Sequence, residues 1–378
     1  MHPSPLPMMA AGGSSFLGAP GKLFLSGSNG SGQLGDGTTT SRSTLVQLGT
    51  GNWVAIAAGS GHFNAIREDG TLWGCGLNSG AQIGDGTTVD KSSPVQVGSQ
   101  SNWHRVFAGI SQVVFATKQD GTLWVWGAAG GSGFGRGTGQ PAVSSPVQVG
   151  SATNWKDCQI LVGQGAVAAL KTNGYLYTWG ANSYGELGQS TMPYGVIYSP
   201  TRLGANTWLK LGGGKGHRLA IRSDGTLWSW GLNNYRQLGW YGSNLNSPAQ
   251  VGAASNWSSV MHGSPWAQHS VAHRSDGSLW TFGQQNFGKL GLGAVGYAPS
   301  PPTQVGALTD WNSGKPPTCG RYTTLTIKSD GTLWGMGRTG NYGIPLSGAY
   351  RSSPVQIGSG TGWLEAKAGM TFSILRGN

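Results

Sequence analysis

Short apolar and aromatic runs alternate with polar turn signals along the whole chain, at a spacing too tight for helices. Residues 219–222 and 226–230 are typical, two such runs separated by Asp224-Gly225. Asp-Gly between apolar runs predicts a two-residue hairpin, because glycine accepts the positive φ that a type I′ turn requires. No window carries a convincing helical period. The pattern therefore predicts an all-β chain of short strands.

The hairpin is a repeated phrase. It reads DGTLWGCG from Asp69, DGTLWVWG from Asp120, DGTLWSWG from Asp224, DGSLWTFG from Asp276 and DGTLWGMG from Asp330, with a softer copy, NGYLYTWG, from Asn173. A second landmark, a tryptophan, recurs at Trp53, Trp103, Trp155, Trp208, Trp257, Trp311 and Trp363, in steps of 49 to 54 residues. SPVQVG stands at 93–98 and 145–150, SPVQIG at 353–358, and looser versions start at Ser199, Ser247 and Pro301. Proline there suits an edge strand, where no ladder donor is needed. The GxNxxGQLG stretches are loop chemistry, with Gly and Asn where unusual backbone angles are needed.

A fixed period of this length signals an array of one supersecondary unit. Seven four-stranded units fit a propeller, in which radial repetition leaves only short, protected edges. The chain stops at Ile374-Leu375-Arg376-Gly377-Asn378, before the last hairpin finds its second arm. That arm stands at the other end, where residues 22–27, KLFLSG, align with TLWGCG. The predicted fold is a seven-bladed β-propeller of four-stranded antiparallel blades, circularly closed by pairing of the N-terminal strand with the C-terminal strands. Residues 22–378 form the propeller. Residues 1–21, with Pro3, Pro5, Pro7 and Pro20, form an extended N-terminal arm.

The GxNxxGQLG and DGxLWxWG signatures resemble those of the regulator of chromosome condensation repeat family, over roughly residues 22 to 378. The resemblance implies a seven-bladed propeller. It says less about activity, because the scaffold hosts unrelated functions. Members include an exchange factor for a Ran-type GTPase, a plant ultraviolet-B photoreceptor, a β-lactamase-inhibiting protein and many bacterial and phage proteins.

Charge and composition narrow the function. Only 10% of residues are charged, while 68 are glycine and 17 tryptophan. Glycine at fixed offsets beside Leu, Trp and Val separates the chain from low-complexity sequence. The net charge of +11 favours polyanions or acidic protein surfaces, but no basic run provides a nucleic-acid tail. Cys75, Cys158 and Cys319 lie in different repeats and give neither a disulfide framework nor a CxxC metal pair, as expected for protein made in a reducing cytosol. No secretory n-region and no apolar stretch of membrane-spanning length is present.

Candidate chemistry is sparse. His62, His217 and His269 occupy one equivalent position, in the first, fourth and fifth repeats. They read as a repeated hydrogen-bonding histidine within each blade rather than a metal site. Five of the 13 acidic residues are the turn aspartates. The Gly-Ser strings lack the strand-to-helix setting of a nucleophile elbow, and no helix follows the GxG pairs as a phosphate loop requires. No catalytic, cofactor or metal residues are assigned, and the chain reads as a non-enzyme.

One regularity concerns cations. Arg67, Lys118, Lys171, Arg222, Arg274, Lys328 and Arg376 each stand at the end of the strand before the hairpin. They read either as solvated strand ends near their own turn Asp, where an ion pair contributes about 0–1 kcal/mol, or as a ring that docks an acidic partner. Trp73, Trp124 and Trp228 read as core. Trp240, Tyr241, Trp266 and Tyr350 are off-pattern and are the candidate exposed aromatics. The expected function is a non-enzymatic structural or protein-binding propeller, first of all a bacteriophage virion component contacting other virion proteins or the host surface. Two alternatives stand beside it: a guanine-nucleotide exchange factor or GTPase-binding regulator, and a secreted or surface adhesin or inhibitor. Neither a membrane span nor a specific nucleic-acid partner is expected.

Overall fold

A computed structural model describes residues 19–109, 112–128, 133–163, 165–190, 195–263, 266–293, 296, 300–340, 344–346 and 348–378. The arm expected at residues 1–21 lies outside the described residues except for its last three. Strands dominate the described residues, with a 3-10 turn at Asn286–Gly288.

The repeat unit is seen most plainly from Trp53. Strands Trp53–Ala58, His62–Arg67, Leu72–Gly76 and Lys91–Gln96 pair antiparallel in that order. The hairpin phrase is one hydrogen-bonded object. Asp69 Oδ1 accepts from the Thr71 N–H at 2.9 Å and from its hydroxyl at 2.6 Å, and Trp73 Nε1 donates to Thr71 Oγ1 at 2.8 Å. The same relay joins Asp120, Thr122 and Trp124; Asp224, Thr226 and Trp228; Asp276, Ser278 and Trp280; and Asp330, Thr332 and Trp334. These hydroxyl bonds hold the turn carboxyls below their usual range. Gly70 is required for a second reason besides its φ of +79°: a Cβ there would lie 2.1 Å from the Ser101 carbonyl oxygen, in the link to the next unit.

Hydrogen bonding joins the units less evenly than expected. Four sheets have four strands each, and a fifth has twelve. The large one arises because Val196–Gly213 runs 18 residues without a break. Its first half pairs with Tyr175–Ala181 as the last strand of one unit, and its second half pairs with His217–Arg222 as the first strand of the next. Short parallel pairs, Gly213 with His262 and His262 with Thr318, extend the sheet to the units led by Trp257 and Trp311.

Both chain ends build one sheet. Lys22–Gly27 lies between Arg42–Gln47 and Phe372–Gly377, which in turn pairs with Trp363–Ala368. Phe24 faces Leu375, and Gly27 faces Phe372. This is the pairing expected from the alignment of residues 22–27 with TLWGCG.

The core sits between neighbouring sheets. Ile66, Leu72 and Val97 of the Trp53 unit pack against Val106, Val114, Ala116 and Trp126 of the next. The second aromatic of LWxWG also latches onto the preceding unit's loop. Trp126, Trp179 and Trp230 donate Nε1–H to the carbonyls of Gln82, Gly133 and Glu186 at 3.0, 3.2 and 3.1 Å. Within those loops the repeated asparagine stitches the turn: Asn78 Oδ1 accepts from the Ile83 N–H while its amide donates to the Thr87 and Val89 carbonyls.

The repeated histidines bond between units, not within one as expected. His217 Nε2 meets Ser270 Oγ at 3.0 Å, and His269 Nε2 meets Thr324 Oγ1 at 2.8 Å, each on the following unit. For His62 the residue in that place is Val114, and neither ring nitrogen has a hydrogen-bond partner. Burial pushes its pKa down to about 4. The unfolded imidazole titrates near 6.5, so between these values the unfolded chain gains a proton that the folded one refuses, and stability falls as pH falls. The loss accrued by about pH 4 is on the order of 3 kcal/mol. Phe372 fills the equivalent position against Gly369, where a Cβ would lie 2.3 Å from its ring, as one at Gly59 would lie 2.0 Å from His62. His62→Phe should therefore fold and should lose less Tm between pH 7 and pH 4.5 than the parent. Equal losses in thermal melts would count against this account.

Candidate functional site

The strand directions separate two ends of every sheet. The Asp-Gly turns lie at one end, and the loops before the His-position residues and after the LWxWG strands lie at the other, since His62 faces Gly76 and His217 faces Gly231. We call these the turn face and the loop face.

Six of the seven strand-end cations lie near the turn face, sandwiched on aromatic rings. Arg67 covers Trp53 and Trp73 at 5.1 and 4.0 Å, and Lys118 covers Trp103 and Trp124 at 4.9 and 3.5 Å. Lys171 sits over Trp155 and Tyr177, Arg222 over Trp208 and Trp228, Arg274 over Trp257 and Trp280, and Lys328 over Trp311 and Trp334. Such stacking contributes about 0.5–2 kcal/mol per cation. Lys118, Lys171 and Lys328 are less than 9% exposed. Lys118, Lys171 and Lys328 are therefore not solvated strand ends, whereas Arg67, Arg222 and Arg274 stay half-exposed. All six brace the first and third strands of their own units.

Arg376 is not the seventh member. Trp363 pairs with Gly377 as Trp53 pairs with Arg67, so Gly377 holds the equivalent register and Arg376 corresponds to Ile66. A one-residue slip moves a side chain to the opposite face of a strand. Arg376 accordingly pairs with Glu365 at 3.3 Å, donates to the Ala19 carbonyl and lines a cavity shared by several units.

The four candidate aromatics all belong to the loop face, with unequal exposure. Tyr241 is 69% exposed and carries the Arg236 guanidinium 4.1 Å from its ring, and Tyr350 is 43% exposed. Trp240 is half-buried and packs on the core cluster that includes Val251 and Phe282. Trp266 is also half-buried. Its Nε1 donates to Ser60 Oγ at 3.3 Å, and Lys215 and Arg321 approach its ring at 5.7 and 5.4 Å. Arg321 and Arg338 both reach Tyr322, which meets Phe287 edge-on at 5.4 Å. Between residues 209 and 351 the only carboxylates are Asp224, Asp276, Asp310 and Asp330, all in hairpin turns or the spacers before a first strand. The loop face over this stretch is therefore cationic and aromatic with no acidic counterpart.

One cavity of about 430 Å³ is lined by stretches of seven units: 54–58, 105–108, 159–162, 210–212, Val260 with His262, 314–316 with Thr318, and Leu364, Glu365, Lys367 and Ala368 together with Arg376. Their apolar side chains form much of the wall. Its charged members Arg105, Lys210, Lys315, Glu365 and Lys367 escaped the sequence reading because the lining positions share no residue type, and Arg376 was read there only as a strand-end cation. Counting two residues on from each spacer Trp would have found Arg105, Lys210 and Glu365. Among the described residues no group of three His, Cys, Asp or Glu side chains could hold a metal ion, and no helix is long and apolar enough to cross a membrane. Burial pushes all three thiols up to about 12, which leaves them unreactive as nucleophiles.

Repeated antiparallel four-strand units packed face to face, latched by tryptophan and joined through both termini, define the class of all-β propeller-like repeat proteins. Within it, this chain belongs to the RCC1-like domain family, whose model matches residues 17–375. It is 31% identical over 183 residues to the ultraviolet-B receptor UVR8 of Arabidopsis thaliana, a match covering 47% of this chain and 40% of that protein. It is 27% identical over 259 residues to the regulator of chromosome condensation of Homo sapiens, covering 62% of this chain and 59% of that protein. The matched segment thus spans less than two thirds of either relative. Among solved structures, yeast RCC1 bound to Kap60 superposes with a TM-score of 0.82 at 19% identity, covering 96% of this chain and 90% of that one. Human WBSCR16 does so with a TM-score of 0.79 at 19% identity, covering 95% and 99%. These likenesses concern the fold.

Proposed function

We propose that this chain is a non-catalytic regulatory propeller whose seven units close into one ring and whose loop face receives an acidic protein surface. The pairing of Lys22–Gly27 with Phe372–Gly377 and the cavity lined from seven units support the ring. The observation that carries the function is the loop face between residues 209 and 351: Lys215, Arg236, Arg321 and Arg338 interleaved with Tyr241, Trp266 and Tyr322, and no carboxylate. Arginines and aromatics of this kind are enriched at protein interfaces, and charge of one sign selects the opposite sign in a partner.

A GTPase-directed regulator is favoured over the virion component first expected. The relatives include the human regulator of chromosome condensation, and the yeast protein Prp20p was solved together with its binding to Gsp1p and histones. Binding and release of fluorescent GDP should be measured against a panel of small GTPases. At least one should bind. Each exposed pair contributes up to about 1 kcal/mol, so Lys215→Glu/Arg236→Glu/Arg321→Glu should weaken that binding about tenfold or more. Asp224→Lys/Asp276→Lys on the turn face should leave it unchanged. Loss only in the turn-face variant would reverse the assignment of faces. An acidic protein bound by the loop face without any GTPase doing so would remove the GTPase and keep the face.

A further inference from the structure

We infer that the cavity lined from seven units is a binding site for a small, multiply charged phosphate-type anion. The inference concerns this cavity, not the loop face, and stands apart from the partner proposed above. A volume of about 430 Å³ lies within the range of small-molecule sites, about 300–1,000 Å³.

The charge of the lining is one-sided. Arg105, Lys210, Lys315, Lys367 and Arg376 contribute five cations, and Glu365 is the one carboxylate of the wall. Glu365 is already engaged by Lys367 at 3.2 Å and by Arg376 at 3.3 Å. Asp157 approaches Arg105 at 3.8 Å, but its nearer contact is His104 Nε2 at 2.7 Å. Counting both carboxylates, five cations against two leave an excess of three positive charges. Walls of low dielectric concentrate such a field and raise the local concentration of counter-ions.

The cations also converge. Lys367 Nζ lies 2.9 Å from His262 Nδ1, so the imidazole accepts and is neutral. Its pKa is held well below the usual value first by Lys367, then by burial, Arg105 and Lys210. Cations from the units led by Trp103, Trp208 and Trp363 thus act on one ring. Lys315, from the Trp311 unit, donates to the Trp363 carbonyl at 2.6 Å. Because the charge arrives from four units, a point anion such as chloride can neutralise only part of it. An anion with charge on several oxygens can meet several cations at once, and phosphate groups suit both ammonium and guanidinium donors. The site is selective for charge spread over more than one centre.

The probe is inorganic pyrophosphate, titrated calorimetrically and in thermal melts against the whole chain at fixed ionic strength. One equivalent should bind saturably and raise Tm, orthophosphate should bind more weakly, and chloride at matched ionic strength should do neither. Arg105→Gln/Lys210→Gln/Lys367→Gln should weaken pyrophosphate binding by about tenfold or more. Lys210 is exposed, so Lys210→Gln alone keeps the test readable if the triple variant does not fold, and it should weaken binding several-fold. Arg202→Gln, whose guanidinium stacks on Tyr175 at 3.5 Å away from the cavity, should bind as the parent does. Absence of saturable pyrophosphate binding overturns the inference. So does binding that survives in Lys210→Gln and in the triple variant, or that Arg202→Gln weakens equally. None of these outcomes bears on GTPase binding by the loop face.

Discussion

Removing residues 19–27 should abolish the folded monomer. Leu23 and Leu25 are fully buried in the last sheet, and burying two leucines contributes about 3–6 kcal/mol. The same strand faces Phe372–Gly377 at six positions and brings Phe24 to the Trp363 ring at 5.3 Å, edge-on. Whole domains are stable by about 5–15 kcal/mol, so this loss is of the same order as the total. The deletion would also bare the ladder groups of Phe372–Gly377, an open edge that invites self-association. Near-ultraviolet circular dichroism and size exclusion should show lost tertiary packing and aggregation. A circular permutant separates lost contacts from a shortened chain. Leu23 faces Arg376 as Leu72 faces Ile66, so joining Asn378 directly to residue 20 with Pro20→Asp rebuilds the Asp69-Gly70 hairpin register. With new ends at Gly139-Gln140, in the half-exposed loop there, it should melt within a few degrees of the parent. A deletion that melts like the parent would sink the closed ring.

What could be read from the sequence follows the range of the interactions. The Asp-Gly-Thr-Leu-Trp phrase was legible because every bond in its relay spans two residues, so its recurrence is its geometry. The pairing of the two ends was legible because strand Lys22–Gly27 keeps the unit's alternation. Interactions between units were not. His217 and His269 find their partners 53 and 55 residues away, and nothing near either histidine points there. The cations were seen as a set, but the rings they cover belong to strands on both sides of their own, so burial could not be read from their spacing. Arg376 was misplaced because an arginine at the chain end resembles the others while the strand register places Gly377 there. Trp240 and Trp266 are off-pattern, yet they are half-buried by loop packing, and of the four aromatics only Tyr241 and Tyr350 are widely exposed. Apart from Arg376, the charges of the cavity were invisible for a plainer reason: a wall with only one or two charged residues from any unit leaves no motif.

Glu186 and Arg218 are both buried and oppositely charged without a direct ion pair between them, and Arg218→Met should cost about 3–5 kcal/mol because it removes three buried carbonyl bonds along with the counter-charge. One loop carries Gln82 where Glu186 stands, and there the residue equivalent to Arg218 is the apolar Val114. Here a glutamate and an arginine occur together, both buried. Burial pushes the Arg218 pKa down to about 10 against the opposing charge of Glu186, and burial raises Glu186 against its backbone bonds and the Arg218 charge. The guanidinium also donates to the carbonyls of Gly214, His217 and Ala166, the last of which ties two units together. Methionine keeps most of the volume but strands the carboxylate without its counter-charge. Glu186→Gln in the same chain removes that charge and reproduces the Gln82 arrangement, so the double variant should recover part of the loss in urea unfolding. Acid should narrow the single variant's deficit. A carboxyl raised in the folded state takes its proton there before the unfolded chain does, so stability rises as pH falls toward the unfolded value near 4.3. If Glu186→Gln recovers nothing at pH 7, the two charges are not coupled, and the three carbonyl bonds alone account for Arg218.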